Sequence, residues 1–207
     1  MAAVSDRNDA SGLVLASASS SRAAVLRQAG LAIRQDPAGV DEEAVKQSLR
    51  AEGADAAHVA TALADLKAQQ VSRRHPDAFV IGADQMLECN GVWFDKPPDI
   101  NHARAHLMSL RGRTHELITA AVVVRSGARL WQHVDRAALT MRPFSDAFID
   151  EYLQAVGNEV CSTVGAYRLE GTGAQLFSRV EGDFFTILGL PLLPLLDFLR
   201  GHGIVAA

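Results

Sequence analysis

Residues 77–84 read Asp-Ala-Phe-Val-Ile-Gly-Ala-Asp, a continuous apolar run from Ala78 to Ala83 closed by a carboxylate at each end. A run this short, without alternation, predicts a strand buried on both faces. Upstream, LVLASASSSR (13–22) starts with a second short apolar strand, Leu13–Ala16, and passes through a serine-rich loop into a helix. Ser19 or Ser20 is the expected N-cap and Gly30 the expected stop. Past Pro37 and Gly39, VDEEAVKQSL and AAHVATALADLKAQQVSRRH predict two helices, the second with Val59, Leu63, Leu66 and Val71 near helical spacing and an end before Pro76.

Downstream, Asn90-Gly91 predicts a hairpin turn. Asp99 caps a helix over INHARAHLMSL that stops at Gly112, and two long strands meet at Ser126-Gly127. A helix capped by Ser145 carries Phe148, Tyr152 and Val156 on one face and ends at Gly157. Short strand-like pieces follow in VGAYRLEG and AQLFSRVEG, then a last helix in PLLPLLDFLRGHG. Strands alternating with helices, without repeats, make the class α/β or α+β around a mixed sheet flanked by helices. The organisation expected is a tail over residues 1–11 and one domain over 12–207.

The 207 residues are 48% hydrophobic and 21% charged, in the globular range, and the net charge of −4 leaves no basic surplus for binding a nucleic-acid polymer. Two distant cysteines, Cys89 and Cys161, make no disulfide framework and fit reduced thiols in the cytoplasm. MAAVSDRNDASG lacks the order of a signal peptide and reads as frayed. Phe184 to Leu199 is interrupted by Gly189, Pro191, Pro194 and Asp197, so no membrane span is expected.

Several residues can carry chemistry. The serine loop, with hydroxyls at Ser17 and Ser19 and the guanidinium of Arg22, suits an anion at a helix start, and equally suits an ordinary capped turn. Asp84, at the carboxyl end of its strand, needs a metal, a cation or water. Glu42 offers a second hard oxygen for Mg²⁺ or Mn²⁺, although Asp41-Glu42-Glu43 also reads as an acidic first turn. Lys67 and Lys96 gain weight only if the fold brings them to Arg22, Glu42 and Asp84. His102 and His106 lack the glutamate of a zinc protease motif and read as a solvated helix face; His115 reads as tying down a turn. No hydrolase elbow, Walker loop or kinase signature is present, which disfavours a phosphomonoesterase or kinase.

Together LVLASASSSR, VDEEA, ALADLKA, VIGADQ, GVWFDKP, LRGRTHELITA, VGAYRLEG and VEGDFFTILGLPL resemble, in order and spacing, the Maf family of nucleoside triphosphate pyrophosphatases. The resemblance implies a fold related to the inosine triphosphatases, two lobes with a cleft, a cytoplasmic location and a need for Mg²⁺ or Mn²⁺. It implies Asp84 as the catalytic acid residue and metal ligand, Glu42 as the other metal-linked carboxylate, and Arg22, Lys67, Lys96, Ser17 and Ser19 as phosphate contacts. The products implied are a nucleoside monophosphate and pyrophosphate. Members similar to the dTTP/UTP branch carry paired arginines, a threonine and a glutamine where this chain has Ser21-Arg22, Gln85 and Glu170; Ala23 stands where a second arginine often sits. Gln85 and Glu170 look more like the 7-methyl-GTP branch, and an ionised Glu170, acceptor only, suits the N–H donors of a guanine edge. The alternative is a non-catalytic nucleotide-binding regulator of septum formation. A homodimer through the long hairpin and last helix is implied as well.

Overall fold

The computed structural model describes residues 12–206, so the expected tail over 1–11 lies outside the described residues. The short strand β1 (Leu13–Leu15) pairs parallel with β2 (Arg34–Gln35) on one side and with β3 (Phe79–Cys89) on the other. Beyond β3 the sheet becomes antiparallel through β5 (Thr114–Arg125), β6 (Ala128–Met141) and β7 (Phe177–Glu181). Strand β4 (Val92–Phe94) folds back on the far end of β3 through Asn90-Gly91, both at positive φ, and Ser126-Gly127 turns β5 into β6 the same way. The result is a mixed seven-stranded sheet.

Helices α1 (Ser20–Gln28) and α7 (Leu192–Gly201) cover one face, where Leu26, Leu195 and Leu199 meet Leu15, Ile81 and Val123. On the other face α3 (Ala56–Ser72) lays Val59, Leu63 and Ala64 against Val80, Met86 and Val122, while α2 (Glu42–Ala51) rides outside it. A third cluster joins α4 (Ile100–Leu110) and α5 (Asp146–Val156) to Leu87, Leu117 and Leu139 at the distal half of the long strands. Ser19, Asp99 and Ser145 cap their helices as expected, each accepting a backbone N–H three residues on.

Some expectations fail for physical reasons. Leu66 is 44% exposed, because the buried stripe of α3 runs through positions 56, 59, 60, 63, 64, 67, 68 and 71 and bypasses it. The buried face of α5 is Ile149, Tyr152 and Leu153, with Phe148 and Val156 at its flank. VGAYRLEG is not a strand: Gly165 and Ala166 adopt positive φ, and a Cβ at Gly165 would come within 2.6 Å of Leu87 and Tyr167. Of AQLFSRVEG only Phe177–Glu181 pairs, and a short helix α6 (Phe184–Ile187), unexpected from the sequence, follows it. His106 is half-buried against Phe94 and not part of a solvated face, whereas His102 is exposed.

His115 does more than tie down a turn. It is 1% exposed, its Nε2 lies 2.7 Å from the Tyr167 hydroxyl, and burial pushes its pKa from 6.5 down to about 4. Between those values the unfolded chain binds a proton that the folded chain refuses, so stability is fully present above about pH 6.5 and declines as the pH falls towards 4, by about 3 kcal/mol in all. Urea unfolding at pH 7.5 and 4.5 is expected to show this loss in the parent chain and a smaller one in His115→Gln. Equal losses would remove His115 as the cause.

Candidate active site

The site begins with an interruption in the sheet. One edge of β3 is paired with β5 from Val80 to Glu88. The other pairs with β1 only at Phe79–Ile81 and with β4 only at Leu87–Cys89, which leaves Gly82 to Met86 open between them. Chain leaving β1, residues Ser17 to Arg22, and chain leaving β4, residues Asp95 and Lys96, therefore converge on that gap. Asp84 lies in its middle. The expected strand end is instead the interior of an eleven-residue strand, and what ends beside Asp84 is the parallel pairing.

Strand alternation then assigns the side chains. Gly82 and Asp84 face α3, and Ala83 and Gln85 face the opposite layer. At Gly82 the helix comes so close that a Cβ would stand 2.0 Å from the Ala64 carbonyl oxygen. One turn further along α3, Lys67 is buried, with its ammonium 2.6 Å from Asp84 Oδ1 and 2.7 Å from Glu42 Oε1. Asp84 Oδ2 is buried and has no hydrogen-bond partner. Buried carboxylate oxygens are costly to leave unpaired, so this atom marks a place where a proton donor or a cation belongs.

Arg22 approaches from α1. Its Nε donates to the Gly189 carbonyl at 2.7 Å and its Nη1 to Ser17 Oγ at 3.1 Å, while Ser17 Oγ also accepts the Ser19 N–H at 3.2 Å. Ser17 thus aims the guanidinium, and Ser19 caps the helix that carries it. Burial lowers the pKa of Arg22, against the opposing charges of Asp84 and Glu42. Burial, then the charge of Arg22, holds the Lys96 ammonium below its usual value. Two cations that repel one another are best satisfied by an anion shared between them. Burial alone would raise the pKa of Glu42, but the charge and hydrogen bond of Lys67 outweigh it and keep this carboxyl below its ordinary range.

All nine residues expected from the sequence line one cleft of about 640 Å³: Ser17, Ser19, Arg22, Glu42, Lys67, Asp84, Gln85, Lys96 and Glu170. Their hydrogen bonds differ from a uniform set of ligand contacts. The Gln85 Nε2 amide is turned inward, to Thr119 Oγ1 at 2.8 Å and the Thr186 carbonyl at 3.0 Å, so it braces α6 and leaves only its carbonyl oxygen. Glu170 accepts from Arg168 Nε at 3.0 Å on the cleft wall. Lys46, Asp95, Tyr167 and Arg168 also line the cleft and were not foreseen. Lys46 carried a signal in its place one helical turn after Glu42, and Asp95, Tyr167 and Arg168 lie within GVWFDKP and VGAYRLEG.

Among the described residues no three His, Cys, Asp or Glu side chains converge as a metal cage. Mg²⁺ and Mn²⁺ need none: they are held by one or two carboxylates with phosphate oxygens and retained waters. Glu42 and the unpartnered oxygen of Asp84 fit that donor set.

A mixed sheet with a split edge, gathering cations and paired carboxylates into one cleft, defines an α/β protein equipped for a polyanion. The model of the family described as Maf-like protein matches residues 12–202, and the chain belongs to that family. A nucleoside triphosphate pyrophosphatase of Paramagnetospirillum magneticum is 60% identical over 92% of this chain and 98% of its own, and one of Granulibacter bethesdensis is 58% identical over 92% and 96%. A 7-methyl-GTP pyrophosphatase of Rhizobium meliloti is 51% identical over 94% and 98%.

Proposed function

We propose that the chain hydrolyses a nucleoside triphosphate to a nucleoside monophosphate and pyrophosphate. The observation that carries this reading is Asp84, buried on the cleft floor with one oxygen on Lys67 and the other without a partner. In the reaction a water oxygen bonds to the α-phosphorus while the bridging oxygen towards the β-phosphorus departs with its electron pair. Asp84 accepts the proton of that water. Arg22, Lys67 and Lys96 take up the charge on the leaving pyrophosphate. Glu42 and Asp84 would hold Mg²⁺ or Mn²⁺, which when bound withdraws charge from the phosphorus. Ser17 and Ser19 orient Arg22 and the start of α1. The pyrophosphatase names of relatives at 51–60% identity support the reading. A cytoplasmic setting belongs to it: both cysteines are free, and among the described residues no helix is long and apolar enough to cross a membrane.

The decisive test is a nucleotide panel of UTP, dTTP, GTP and 7-methyl-GTP with separate detection of pyrophosphate and inorganic phosphate. Monophosphate and pyrophosphate are expected in equal amounts. A chelator is expected to abolish turnover, and added Mg²⁺ or Mn²⁺ to restore it. Release of inorganic phosphate alone would refute the reaction, and binding without turnover would favour a nucleotide-binding regulator.

The base we propose is guanine or its 7-methyl form. Methylation at N7 places positive charge on the purine, which a carboxylate on the cleft wall complements better than an amide does. Glu170→Gln is therefore expected to shift the ratio of kcat/KM for 7-methyl-GTP over UTP downward by about tenfold, the worth of one charge-assisted hydrogen bond. A preference for UTP or dTTP in the parent chain would exclude the guanine reading.

A further inference from the structure

Helix α2 is anchored unusually. It carries Glu42 into the cleft, yet none of its residues is fully buried, and only Val45 and Leu49 pack partly against the α3 layer. Glu42, Lys46 and Arg50 follow at intervals of four and so form one stripe along the helix. Each member of the stripe engages a different element. Glu42 pairs with Lys67 of α3, Lys46 pairs with Asp95 just past β4, and the Arg50 guanidinium lies over the Trp93 ring of β4, 5.0 Å from its centroid. Asp95 immediately precedes Lys96, and Trp93 is tied into the hairpin by its Nε1 donating to Glu88 at 3.3 Å. The stripe therefore spans the open edge of β3, from the α3 bank to the β4 bank.

We infer that Lys46, Asp95, Arg50 and Trp93 are positioning residues that latch α2 across the cleft, and so set Glu42 and Lys96 for the triphosphate; the inference rests on the hydrolysis reading above. The strength of the contacts suits a latch. The Lys46 side chain is 15% exposed and that of Asp95 52%, and partly exposed ion pairs and cation–π contacts are each worth about 1 kcal/mol or less. Docked and undocked α2 thus lie within reach of ligand binding energy. A weakened latch lowers the population of the binding-competent form, which raises apparent KM, while saturating nucleotide restores the docked helix and spares kcat.

The test is a double-variant cycle read by kinetics and by fluorescence. In Lys46→Met and Asp95→Asn, KM for the best nucleotide of the panel is expected to rise about fivefold with kcat within twofold, and the double variant is expected to match either single one. Lys46→Arg is expected to keep the parent KM. In a Trp131→Phe background, without nucleotide, the emission of Trp93 is expected to move to the red in the single variants as the ring loses its cover. Unchanged KM, additive effects in the double variant, or unchanged Trp93 emission would overturn the latch. Because the emission needs no turnover, a failure of the latch is distinguishable from a failure of the hydrolysis reading.

Discussion

Pyrophosphate release by Asp84→Asn is expected to fall about a thousandfold below that of the parent chain, the middle of the range for removing a general base. The substitution is nearly isosteric. Its amide oxygen still accepts from Lys67, so the buried ammonium keeps a partner on β3 as well as Glu42 on α2. What is lost is the partnerless Oδ2, which becomes a donor and then neither accepts a proton from water nor joins Glu42 as a metal-holding oxygen. Thermal unfolding should therefore change little while turnover collapses, and nucleotide binding should persist because Arg22 and Lys96 are untouched. Activity within tenfold of the parent would place the base elsewhere in the cleft.

Gly82→Ala is expected to destabilise the fold by about 3–5 kcal/mol, above the usual range for overpacking because the clash is with backbone, or to prevent folding outright. The added Cβ would stand 2.0 Å from the Ala64 carbonyl oxygen and 2.9 Å from the Ala68 methyl. The first of these is backbone of α3, so no rotamer change relieves it and the whole helix must move. Gly201→Ala, at the end of α7 with nothing near its Cβ, serves as the control and should be neutral or slightly stabilising. Urea unfolding measures both. Since α3 also carries Lys67, any folded Gly82→Ala should have lost most of its activity too. Unperturbed stability would mean that α3 does not approach β3 as described.

Punctuation in the chain is legible because it is local chemistry. Ser19, Asp99 and Ser145 cap helices through their own short side chains, and Asn90-Gly91 and Ser126-Gly127 take the positive φ that tight hairpins require. The aromatic and apolar content of residues 164–171 suits a strand, but Gly165 and Ala166 take a positive-φ conformation, Gly165 packed on Leu87. Spacing near 3.6 leaves two candidate stripes, one through Leu66, and the alanines of α3 select the other, which lets the helix approach Gly82. His115 carried no local sign of burial, since the ring that covers it, Tyr167, arrives from 52 residues away.

By itself the sequence determined the main helices and strands, the mixed sheet and the residue kinds able to handle a polyphosphate, since propensity, capping and hydrophobic period act over a few neighbours. Only the tertiary structure decided that these residues share one cleft. Asp84 is functional by virtue of the gap between β1 and β4 on its strand's edge, and Glu42 by virtue of Lys67, twenty-five positions away. Pairing between distant strands and ion pairs between separate helices leave no periodic trace in the chain, because their free energy depends on distances that exist only after folding.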